Sequence, residues 1–304
     1  MYEATSKNKT KSAIVVIGFF IFVSLAIYYI SSAFSYYFGY EPGGFGIAGL
    51  ALIISGVTSF ASYYYSDKIV LSISQAKEAD RERYFDFYTV AENLAIATGL
   101  PKPKLYIIED SAPNAFATGR DPDHAVIVAT TGLLSKLTRT ELEGVIAHEM
   151  GHIKNYDVRL MSVVAVLVGS LALLGDLFLR ARFRGKRDSK SGSAGTIVLV
   201  LGILFALLSP IIAKLIQFAI SRRREFLADA SSVAITRQPN GLISALQKIA
   251  NDTEPLEVAN KATAHLYIAD PFKGKIGDAR ARFASLFNTH PPVEERIAAL
   301  SRMT

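Results

Sequence analysis

Apolar residues are unevenly spread along this chain. Ala13 to Phe34 is nearly unbroken apolar sequence, and Phe45 to Ala61, Leu160 to Leu179 and Ile197 to Ala213 repeat the pattern. Each run approaches the ~20 residues that carry a helix across a bilayer core. The four runs predict an integral membrane protein with two helical hairpins, over residues 1–65 and 159–220. Residues 66–158 and 221–304 are patterned differently. Gln75 to Thr98 has apolar positions at helical spacing, with Gly99 as its stop. Leu105 to Ile108, Asn114 to Gly119 and His124 to Ala129 read as strands, the last two joined by a turn at Arg120-Asp121-Pro122-Asp123. They predict a small antiparallel sheet, whose edge either binds an extended peptide by strand addition or serves as scaffold. Thr138 and Glu141 fit a capping box. Leu142, Val145, Ile146 and Ile153 follow at helical spacing, and no Gly or Pro stops that helix soon after His152. Asn240 to Ala250 and Pro292 to Arg302 read as further helices. The fold class predicted is mainly α with a small antiparallel β-sheet.

Charge sharpens the topology. Much of the net charge of +6 lies beside the apolar runs, which fits membrane topology and lipid-headgroup contact better than nucleic-acid binding. Nothing resembles a DNA or RNA module. Lys7, Lys9 and Lys11 put the N-terminus in the cytoplasm, and the first run is too long for a cleaved signal and reads as a retained anchor. Tyr28, Tyr29, Tyr36, Tyr37 and Tyr40, then Tyr63, Tyr64 and Tyr65, suit aromatic belts at the membrane surface. The two soluble parts then face the cytoplasm of a multi-pass cell-membrane protein. One conflict stands in the second hairpin: Arg180, Arg182, Arg184, Lys186, Arg187 and Lys190 crowd its tip, where the positive-inside rule disfavours export. Either that hairpin spans regardless, or it inserts shallowly. Cysteine is absent, which excludes a disulfide framework.

The chemistry is carried by His148-Glu149-Met150-Gly151-His152, an H-E-x-x-H sequence. On a helix the two histidines project from one face, about 40° apart, where both imidazoles can grip one metal ion. Glu149 can then act as a base on water. A catalytic zinc takes three protein ligands and keeps one position open. Glu225 in Ser221-to-Asp229 is the best third ligand, and Asp229, four residues on, can fix a ligand imidazole from behind. The competing interpretation is an exposed helix laced with Arg-Glu pairs. His152 lies about eight residues before the third apolar run, roughly 12 Å along a helix. A single zinc ion held there would sit near the membrane surface, within reach of membrane proteins or segments emerging from the bilayer.

The chain resembles the HtpX family of membrane-bound zinc endopeptidases, relatives of the CAAX prenyl endopeptidases. The resemblance rests on the four runs, Asn114 to Gly119, His148 to His152 with Asn155 and Asp157, Arg222 to Asp229, and His290-Pro291-Pro292 with Arg296-Ile297. It implies a gluzincin-like, mainly helical catalytic domain engaged in membrane-protein quality control. His148, His152 and Glu225 would be ligands and Glu149 the base, with Asn114 and His290 near the substrate, where they could stabilise an oxyanion. His124 and His265 read as structural. Cleavage of prenylated CAAX peptides and a non-catalytic zinc-binding membrane scaffold are the alternatives. Oligomeric state is not written in the sequence.

Overall fold

The fold is assembled around one buried helix, started by the capping box. Thr138 Oγ1 accepts from the Glu141 N–H, and the Glu141 carboxylate accepts from the Thr138 N–H at 2.7 Å. The computed structural model describes residues 2–37, 45–167, 222–259, 262–272 and 291–303. Its helices are α1 (Tyr2–Tyr37), α2 (Phe45–Tyr64), α3 (Ser66–Ile73), α4 (Phe85–Thr98), α5 (Thr131–Lys136), α6 (Arg139–Lys154), α7 (residues 157–167), α8 (Arg222–Thr236), α9 (Pro239–Asn251) and α10 (Val293–Leu300). Its strands are β1 (Lys77–Glu78), β2 (Lys104–Ile108), β3 (Ala115–Thr118) and β4 (Val126–Thr130).

Helix α6 is covered by α4, α8, α9 and β3. Leu142, Val145, Ile146, Met150 and Ile153 are all buried in one core with residues of α4 and α9. Each such side chain contributes about 1.5–3 kcal/mol of hydrophobic stabilisation. Gly151, inside the motif, lets α8 come close, because a Cβ there would lie 3.1 Å from Ser231 Cβ and 3.3 Å from Ala228 Cα.

The sheet corrects an expectation. It is mixed, in the order β1-β2-β4-β3, with β2 parallel to β4 and the other pairs antiparallel. Residues 109–114 carry the chain past the place of β4, so β3 forms the outer edge. The following turn, where Gly119 adopts φ +134°, brings β4 back between β2 and β3. Both β3 and β4 are buried at every position, so no alternation marks their order. The helix expected from Gln75 begins only at Phe85. Gln75 takes φ 54° and Lys77–Glu78 pairs with β2, so tertiary pairing overrides local helical preference.

A second correction follows the motif. Helix α6 stops at Lys154, Tyr156 adopts φ 59°, and the chain resumes as α7 in a new direction. Leu160, Val163, Val164 and Leu167 of the third apolar run pack with Val15 and Phe19 of α1. The rest of that run, all of the fourth and the basic tip between them lie outside the described residues. Among the described residues, no helix is long and apolar enough to cross a membrane. Helices α1 and α2 pack against each other and turn Ile14, Ile17, Ile21, Leu52, Ile53 and Val57 outward.

Candidate active site

Two turns of α6 set His148 and His152 side by side, with their Nε2 atoms 3.2 Å apart. Helix α8 brings Glu225 against both: its carboxylate lies 3.7 Å from His148 Nε2 and 3.6 Å from His152 Nε2. All three residues are buried, and their ligand atoms fall within 4.8 Å of one another. The competing picture of an exposed Arg-Glu helix does not hold, since Glu225 is 3% exposed and Asp229 fully buried.

The outer nitrogens are held from behind. His148 Nδ1 lies 2.9 Å from Asp229 Oδ1, and His152 Nδ1 lies 3.1 Å from Asp157 Oδ2. Each carboxylate favours the tautomer with hydrogen on Nδ1, which leaves Nε2 as the donor to a metal. Asp229 is itself gripped by Arg296 of α10, whose Nε and Nη2 donate to its two oxygens at 2.9 and 2.6 Å. Arg296 Nη1 donates to the Ile268 carbonyl and lies 3.7 Å from Glu225.

These partners shift the ionisation equilibria. Burial, then the Arg296 guanidinium, push His148 down to about 4 against the opposing hydrogen bond with Asp229. Burial also opposes charge on His152, but its hydrogen bond with Asp157 and the nearby Glu225 carboxylate outweigh it and raise the imidazole to about 9. Burial raises Glu149 to about 7, with Glu225 adding to the rise and His152 opposing it. Two imidazoles and a carboxylate thus converge at one point, buried from solvent. That donor set fits a divalent zinc ion, for which N and O ligands in threes are usual at catalytic sites.

Comparisons with known proteins identify the family. The profile described as Peptidase family M48 matches residues 81–304. The chain belongs to peptidase family M48. A Protease HtpX homolog of Caldanaerobacter subterraneus is 43% identical over 308 positions, covering all of this chain and 98% of its own length. Its namesake in Dictyoglomus thermophilum is 45% identical, over 99% of this chain and 94% of its own. That of Streptococcus uberis is 38% identical over the full length of both. Among solved structures, S. mikatae Ste24p aligns with a TM-score of 0.48 and 19% identity, over 99% of this chain and 67% of that one. This M48 chain is a peptidase, and the family implies a metal.

Other M48 residues singled out in the sequence fall in different places. Asn114 is buried at the head of β3, its Nδ2 donating to the Ala269 carbonyl at 3.1 Å and its Oδ1 accepting from the Ala115 N–H. His290 lies outside the described residues. His124 meets Asp121, and His265 meets the Met161 carbonyl, both away from the cluster. The outer edge of β3 lies beside α6: the Ala115 carbonyl accepts from the Ile268 N–H, and just past the strand the Gly119 N–H donates to Ser162 Oγ. The chain itself thus engages the Ala115 end of the edge considered for strand addition.

Sequence reasoning gave Arg296 and Asp157 no role of their own. Asp157, five residues beyond His152, had a local signal in its spacing. Arg296 had none, since its partners lie 28 and more residues away.

Proposed function

We propose that this protein is a membrane-anchored zinc metalloendopeptidase that hydrolyses peptide bonds of misfolded or damaged membrane proteins. The observation that carries it is the buried convergence of His148, His152 and Glu225, with a carboxylate behind each imidazole and Glu149 beside them. Zinc held by those three side chains would supply Lewis acidity to a water and to the scissile carbonyl. Glu149 is the general base: buried beside the three ligands, its carboxylate can accept a proton from water and return it to the leaving amine. Asp229 and Asp157 hold the two imidazoles in the ligating tautomer, and Arg296 keeps Asp229 ionised and in place. The second N–H of the Asn114 amide is available for the developing oxyanion, with His290 as its partner in that role.

The apolar runs, and the outward apolar rows on α1 and α2, support insertion in the cell membrane, and Lys7, Lys9 and Lys11 ahead of the first run support both catalytic parts on the cytoplasmic side. A reporter fused at Ser191 is expected to be external if the second hairpin spans, and a cytoplasmic signal refutes spanning. The deciding experiment for activity uses the full chain in detergent with casein as substrate. Chelation should abolish cleavage and zinc restore it. Glu149→Gln should keep one zinc per chain yet lose roughly 10²–10⁴-fold in rate. Full activity in that variant refutes the assignment.

A further inference from the structure

The first helix of the chain reaches the residues that support the metal cluster. Asn8 is 5% exposed, although Lys7, Lys9 and Thr10 around it are exposed. Its Nδ2 donates to Asp157 Oδ1 at 2.6 Å and to the Asn155 carbonyl at 2.9 Å, so both amide hydrogens are used across 149 and 147 residues of sequence. The other Asp157 oxygen is the one that meets His152 Nδ1. Two side chains, Asn8 and Asp157, therefore link α1 to the candidate ligand His152. The Lys9 ammonium lies 4.2 Å from the Tyr156 ring centre, on the residue with φ 59°. Farther along α1, Val15 and Phe19 pack with Leu160, Val163, Val164 and Leu167, which fixes the register of α1 against α7.

We propose that Asn8 is a positioning residue for the metal centre, and that α1 is thereby part of that centre rather than only an anchor. The proposal rests on His148, His152 and Glu225 being the zinc ligands. Asn8 holds Asp157 by one oxygen so that the other faces His152, and the oriented imidazole then presents Nε2 beside His148 and Glu225. Without the amide, Asp157 is free to swing toward Arg224, whose Nε already lies 3.8 Å from the same Oδ1. That swing withdraws the oxygen from His152. Displacement of α1 within the bilayer would act on zinc affinity by the same route.

The test uses the full chain, purified in detergent and stripped of metal. Zinc affinity is read by competition with a chromophoric chelator, and ligand geometry by the visible absorption of bound cobalt(II). Asn8→Ala should weaken zinc roughly threefold to tenfold, less than the 10–100-fold seen when a group touching a ligand is lost. Asn8→Asp keeps the shape but sets a carboxylate against Asp157, and should weaken zinc further. Both should shift the cobalt bands, whereas Thr10→Ala, on the exposed face of α1, should not. Zinc affinity and cobalt bands unchanged in both Asn8 variants overturn the proposal, even if melting temperature falls, because Asn8 is then only a helix anchor. A wild-type chain that takes up no zinc, or a His152→Ala variant that binds it normally, refutes the ligand assignment itself, and the role of Asn8 falls with it.

Discussion

The two ends of α6 are built in opposite ways. At the N-terminal end, Thr138 and Glu141 close on each other across three residues, and Lys248 and Ser244 of α9 add hydrogen bonds to the same carboxylate. At the C-terminal end, the helix breaks at Tyr156 in a left-handed conformation that a non-glycine residue adopts at a cost of about 1–2 kcal/mol. That break turns Asp157 back to His152, and the residues that hold it come from α1 and α8. One end is a local stability device, while the other gives up local preference for ligand orientation. The difference predicts separable phenotypes: damage near the ligands should reach metal affinity, and damage at the cap should reach only folding.

The largest effect is expected outside both ends, where α10 supports the ligands from behind. Arg296→Met leaves the buried Asp229 carboxylate without its bidentate partner and removes the positive charge beside Glu225. Breaking a buried pair in this way costs about 3–5 kcal/mol. Urea unfolding of the metal-free chain measures it, and a midpoint equal to wild type would show that Asp229 does not need the guanidinium.

The same contrast explains what the sequence could tell. The capping box, the 3.6-residue spacing of Leu142, Val145 and Ile146, and the four-residue steps from His148 to His152 and from Glu225 to Asp229 are local codes, and the structure has each residue where its code implies. Strand order is not a local code: β3 and β4 are buried on both faces, so their residues show no alternation, and the parallel β2–β4 pair went unforeseen. Nor is the break after Lys154. Nothing in Asn155-Tyr156-Asp157 demands a left-handed residue until Asn8, 147 residues earlier than Asn155, grips the turn. Helix Gln75–Thr98 lost the stretch before Phe85 for the same reason, when Lys77 and Glu78 found a partner in β2.

A middle-sized effect tests the C-terminal end directly. Asp157→Asn keeps the size of the side chain but removes the charge facing His152, and zinc affinity should fall roughly 10–100-fold. The unfolding midpoint of the metal-free chain should move less than in Arg296→Met. Chelator competition provides the check. An affinity within twofold of wild type would mean that His152 is oriented by its packing alone, and that the helix break has no part in the site.

The smallest effect belongs to the cap, and pH gives it a signature. Burial alone would raise the Glu141 pKa, but hydrogen bonds from Lys248, Ser244 and Thr138 outweigh burial and hold it at about 2. A carboxylate lowered on folding contributes stability above its ordinary value near 4.5, and that contribution is lost as pH falls from there toward 2. Glu141→Gln should therefore cost about 1–2 kcal/mol at pH 7, held down because the Lys248 partner is 42% exposed. The gap between wild type and variant should narrow steadily below pH 4.5. Zinc affinity at pH 7 should be unchanged, since Glu141 lies two helical turns before His148 and the cap fixes the start of α6, while α8 and the turn after Lys154 fix the ligands. A gap that persists undiminished at pH 2 would assign the loss to packing instead of charge. Weaker zinc binding at neutral pH would show that the two ends of α6 are mechanically coupled and not separable.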